Sequence, residues 1–119
     1  MRITYQQIDV ILFPWAKAHL LNVMTEYKDE EVRSITVVDD FANEFQIYLS
    51  PDSDHEETKV NVGADLLRIG SKKHTFHREK KKFHFRETVD LVGLEAVLNR
   101  ALQLTREWSV EIQRDHVKS

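Results

Sequence analysis

The chain has 119 residues, 41% apolar and 31% charged, with a formal charge of −3 and no cysteine. That length suits one domain, able to bury roughly two-thirds of its unfolded surface without a covalent or metal staple. Lack of Cys excludes a disulfide framework, a thiol nucleophile and Cys-ligated metal centres, and no apolar run approaches the ~20 residues that span a bilayer.

The opening stretch MRITYQQIDVILFPW places polar residues after Arg2 and interrupts its short apolar run with Asp9. A secretory signal has a different pattern. With the missing cysteines, this leads to the expectation of a cytoplasmic protein with no membrane partner. Ile8, Ile11, Leu12 and Trp15 then repeat at i, i+3, i+4, i+7, so residues 4 to about 19 are expected to be helical. Pro14 cannot donate a backbone hydrogen bond and crowds the preceding turn. A kinked or two-piece helix ending near His19 is therefore expected.

From Leu21 the period changes to two. Leu21, Val23, Thr25 and Tyr27 alternate with more polar positions, and KDEE supplies a reversal. VRSITVV follows, with Ile35 and Val37 on one face; DDFANE turns the chain; FQIYL aligns Phe45, Ile47 and Leu49. SPDSDHEE reads as a solvated loop. TKVNVGADLLRIG reads as a strand through Val60 and Val62, irregular at Gly63 and closed by Gly70. Short alternating segments joined by polar turns make an antiparallel meander.

Residues 72–87, KKHTFHREKKKFHFRE, hold seven Lys and Arg, three His and three Phe. A hairpin with Lys80 and Lys81 at its tip would put Phe76, Phe83 and Phe85 on one face, and Lys73, His77, Lys82, His84 and Arg86 on the other. The aromatics then belong to the core and the cations to the surface. Beyond it, Leu94, Leu98, Ala101, Thr105, Trp108 and Ile112 form one stripe of a helix of roughly twenty residues, with Thr88 or Asp90 available as a cap. The fold class expected is α+β: an N-terminal helix, a meander of five to six strands, and a long C-terminal helix on one face, all in one domain over residues 1–119.

Charge is unevenly placed. Residues 26–57 contain eleven acids against Lys28 and Arg33, whereas residues 68–86 contain eight bases against Glu79. EYKDEE, VVDD and SPDSDHEE fall at expected turns or strand ends, where they could gather into a negative surface. Small acidic proteins use such surfaces to occupy basic sites on a partner; immunity proteins and nuclease inhibitors of similar size and charge offer an analogy of architecture only. The expected function is non-enzymatic capture of a basic protein, with Asp39, Asp40, Asp52, Asp54, Glu56 and Glu57 as the binding surface. A homodimer through a sheet edge is compatible with this.

The alternative is nucleic-acid association through Lys73, Lys80, Lys81, Lys82 and Arg86, since phosphate contacts dominate such affinity. Against it, single-strand modules stack bases on exposed aromatics, and the Phe residues here read as core. A second alternative is an enzyme whose site gathers from distant positions. The chain contains no P-loop, GxGxxG, GxSxG or HExxH. Asp52, Asp54 and Glu56 match the start of a calcium loop, but Glu57 and Gly63 stand where Gly and a bidentate Glu are needed. Of the three His in residues 72–87, only His77 and His84 would share a face, too few for zinc. No metal or cofactor is expected.

Overall fold

Thr4 begins the first helix, α1 (Tyr5–Ala18). Its hydroxyl accepts the Gln7 N–H, while its own N–H donates to Gln7 Oε1 at 2.9 Å, a capping box that satisfies two orphan donors. The computed structural model describes residues 3–52, 59–70 and 82–118. Pro14 lies inside α1, which continues through it as one helix rather than two pieces. The carbonyl that Pro14 cannot serve belongs to Val10; both residues are exposed, so water can take the bond. At the other end Leu20 adopts φ 59°, and the N–H groups of Leu20 and Leu21 reach the carbonyls of Lys17 and Ala16. This is a Schellman ending with Leu where Gly is usual.

Among the described residues five strands follow, β1 (Val23–Tyr27), β2 (Glu30–Val38), β3 (Glu44–Pro51), β4 (Lys59–Arg68) and β5 (His84–Asp90), before α2 (Leu94–Lys118). They form one antiparallel sheet in chain order. Alternation sends Ile35, Ile47, Ala64 and Phe85 to one face as successive cross-strand partners, and the first three are fully buried. Both helices contribute to the core built on that inner face. The expected stripe of Leu94, Leu98, Ala101, Thr105, Trp108 and Ile112 is buried throughout. Trp108 meets Phe45 and Phe83 with centroids 6.2 and 5.8 Å apart, and a fully buried Phe is worth roughly 2–3 kcal/mol. Trp15 is the corresponding anchor in α1, its Nε1 donating to Asn99 Oδ1 at 2.8 Å.

Some local expectations are corrected. A register shift between Met24 and Glu26 moves Tyr27 to the face of Met24, so the simple alternation from Leu21 to Tyr27 breaks inside β1. The backbone is regular at Gly63; the irregularity near this end of the sheet instead separates the Phe45↔Leu66 and Glu44↔Arg68 pairs. The strand starting at His84 pairs with β4, Asp65 opposite His84 and Ala64 opposite Phe85. Residues 72–81, which include the first arm and tip of the expected hairpin, lie outside the described residues. In the described part, Phe83 is buried and Phe85 half-buried while His84 and Arg86 are exposed, in line with the expected division of faces. α2 is 25 residues long rather than about twenty. Asp90 Oδ1 accepts the Gly93 N–H in the turn leading into it, whereas Thr88 bonds Asn61 across the sheet.

Candidate functional site

A sheet has two faces, and the helices cover one. The outer face is built from the residues that alternate with the core. Met24, Ser34, Tyr48, Gly63 and Arg86 are successive partners across all five strands. Tyr48 lies across Gly63, where a Cβ would stand 2.2 Å from Tyr48 Cζ. The absent side chain lets the ring cross β4, and Tyr48 Oη accepts a hydrogen bond from Arg86 at 3.2 Å. Beside this row Gln46 donates to Ser34 Oγ at 2.8 Å, and Asp65 adds negative charge that acts on Arg86. The result is an open groove of about 690 Å³ whose lining includes Met24, Tyr27, Val32, Tyr48, Leu67 and Arg86.

Its rim at one edge is β1, unpaired on its far side among the described residues. The β1–β2 turn is a two-residue connection with Lys28 at φ 51° and Asp29 at φ 66°, the positive-φ pair that matches strand twist. Around it Glu26, Asp29, Glu30 and Glu31 are all exposed. Glu26 stands directly opposite Glu31, a like-charge cross-strand pair that opposes hairpin formation. Tyr27, opposite Glu30, is 56% exposed. A second depression, of about 330 Å³, runs along the other half of the edge, lined by Leu20 to Met24 with Ser34 and Thr36.

The acids singled out from sequence separate in space. Asp39 and Asp40 occupy the β2–β3 turn and Asp52 follows the far end of β3, so a strand of eight residues lies between them, roughly 26 Å. Asp39 is committed internally. Its carboxylate accepts the backbone N–H groups of Phe41 and Asn43, the Asn43 amide and the Ser109 hydroxyl. Burial pushes its pKa up, but these bonds overcome that and hold it below the ordinary carboxylate value. Asp40 is exposed, and Asp52 is buried at 8% exposure. Asp54, Glu56 and Glu57 lie outside the described residues. Asp52 shares its end of the sheet with the acidic β1–β2 turn.

Of the cations, Lys82 Nζ lies 2.7 Å from Glu111 and Arg86 takes part in the outer-face row. Lys73, Lys80 and Lys81 lie outside the described residues. A small cleft gathers His19, Asp39, Thr105, Arg106 and Ser109. There the Ser109 hydroxyl donates to Asp39 and the His19 ring lies tilted against Trp15, centroids 4.8 Å apart, so the arrangement lacks the serine–histidine contact of an activated nucleophile. Among the described residues no three His, Asp or Glu converge as metal ligands, and no helix is long and apolar enough to cross a membrane.

Comparison with protein families, curated proteins and solved structures finds no match to this chain. Tyr27 shares strand parity with Val23, so only the bulge inside β1 brings it to the outer face beside Met24. The bulge that reverses it has no distinctive residue. The acidic turn, by contrast, was visible in EYKDEE.

Proposed function

We propose that this chain is a non-enzymatic protein-interaction domain, working in the cytoplasm, that captures a basic protein through its acidic β1–β2 end and the adjoining outer sheet face. The observation that carries this reading is the joint placement of Glu26, Asp29, Glu30 and Glu31 in water beside a groove lined by Met24, Tyr27 and Val32. Acidic groups at a rim steer a cationic partner and select against anionic ones. Aromatic and methionine side chains within reach supply the contact area on which affinity depends. Asp52 stands at the same end of the sheet. Asp54, Glu56 and Glu57 follow it in sequence and lie outside the described residues, whereas Asp39 and Asp40 lie too far away to join this surface.

Affinity capture from the native host, with and without nuclease, tests this. The expected result is a basic protein retained after nuclease treatment, released by salt, and lost from a Glu26→Lys/Glu30→Lys variant that still folds. Capture unchanged by that reversal, or abolished by nuclease, would overturn the reading.

A further inference from the structure

The edge strand breaks local rules on both sides. Leu20 holds a left-handed conformation and is 93% exposed, although glycine would end the helix with less strain and no apolar surface in water. Past β1, the turn uses Lys28 and Asp29 at positive φ where Asn-Gly is favoured, and Glu26 faces Glu31 across the hairpin. Violations of this sort gather where function overrides stability. Between them runs a strand edge that is free among the described residues. Its bulge and acids guard the Tyr27 end against nonspecific pairing, while Val23 and Met24 keep regular pairing geometry.

We infer that the free edge of β1 accepts an extended segment of the basic partner as an added strand, an apolar side chain packing against Leu20 and Met24 and Lys or Arg side chains facing Glu26, Asp29 and Glu30. This rests on the proposed function and specifies how the same surface is used. Main-chain hydrogen bonds to the edge give affinity, and side chains alternating into the depressions on the outer face give selectivity. The occupant is set by charge. A second copy entering parallel would bring its own acids against Glu26, Asp29 and Glu30, and one entering antiparallel would set Met24 against Glu26 and supply no cation to either acidic end. A cationic strand meets opposite charge at one end and exposed apolar surface at the other.

The test uses the full chain and two synthetic peptides, Lys-Arg-Lys-Val-Thr-Val-Leu and its reverse, since either strand direction satisfies the surface. Backbone amide NMR and hydrogen exchange are followed on titration. One peptide should shift the amides from Leu20 to Tyr27 and slow exchange along β1. Binding should weaken about tenfold or more in Leu20→Gly, through loss of a buried anchor, and in the peptide with its central Val replaced by Pro, which removes a strand donor. Shifts confined to Tyr48 and Arg86, or binding indifferent to Leu20→Gly and to Pro, would overturn strand addition. If that binding were still lost in Glu26→Lys/Glu30→Lys, the acidic-surface reading would stand without it. Binding indifferent to the charge reversal would overturn both. Concentration-dependent dimerisation through β1 would overturn the choice of occupant.

Discussion

Arg33 grips Asp9 with two hydrogen bonds, Nε to Oδ1 at 2.7 Å and a terminal nitrogen to Oδ2 at 2.9 Å, tying β2 to α1. The guanidinium also donates to Glu31 and to the Val32 carbonyl and lies 4.6 Å from the Tyr5 ring centroid. It is 4% exposed, on an inner-face row that continues through Leu49 and Val62 to Glu87. Glu87 in turn pairs with Arg100 of α2 at 2.7 Å. One row of the sheet thus carries an ion pair to each helix, with aliphatic residues between.

The two pairs should differ in weight. Removing one partner of a buried ion pair leaves an uncompensated charge and costs about 3 kcal/mol or more, so Arg33→Ala should lower stability by that order in urea unfolding. Arg100→Ala, at a pair more open to water, should cost no more than about 1 kcal/mol. Arg33→Lys should recover only part of the loss, because an ammonium cannot make the two-pronged contact. Equal losses at Arg33 and Arg100 would refute this ranking.

Asp39 predicts an acid-side dependence. Its pKa is lower folded than its ordinary 3.8, so its stabilisation is present above that value and is lost as pH falls through the lowered folded pKa. Stability of Asp39→Asn, compared with the parent between about pH 5 and pH 2, should show a shallower decline. Ser109→Ala should move the Asp39 titration, followed by carboxyl NMR, back up toward 3.8 and cost about 1 kcal/mol at neutral pH.

Leu20→Gly should stabilise the fold. The residue sits at positive φ with its side chain in water, so the change relieves strain while giving up little packing. The gain should be about 0.5–1 kcal/mol, offset in part by the freer unfolded chain. Thermal unfolding checks the sign, and a loss of stability would show that Leu20 packs more closely than its exposure implies.

Tyr48 and Gly63 form a size-matched pair. Gly63→Ala forces Tyr48 off β4, because the new Cβ would fall inside the ring's van der Waals radius. A cost of about 1–2 kcal/mol is expected in the parent. In a Tyr48→Ala background the same change should be near neutral or favourable, since alanine suits a strand better than glycine. A double-mutant cycle measures the coupling, and simple additivity would deny the contact.

Much of the fold was legible because burial imposes periodicity. The stripe from Leu94 to Ile112 and the alternation of Phe45, Ile47 and Leu49 each mark a face directed to the core. Arg33 was the hidden exception. It shares parity with Ile35 and Val37, which puts it on the core face, but only the arrival of Asp9 from α1 makes that position tolerable for a charge. In sequence Asp39 is indistinguishable from a surface acid, because turn chemistry and partner binding use the same residue type. Its bond to Ser109 spans seventy positions and depends on where α2 ends up.

By itself the sequence determined the element types, their order, the core faces and the presence of opposite charge in two segments, since each depends on nearest-neighbour spacing or on composition. Tertiary structure decided which acids share a surface. Antiparallel strands send successive turns to opposite ends, so Asp39 and Asp40 part from Asp52, while the β1–β2 acids join Asp52's end. It also decided that α1 joins α2 in the core on the same face of the sheet. The row through Tyr48 and the edge at β1 were thereby left open. Such relations come from pairing register and packing between distant segments, for which local periodicity carries no signal.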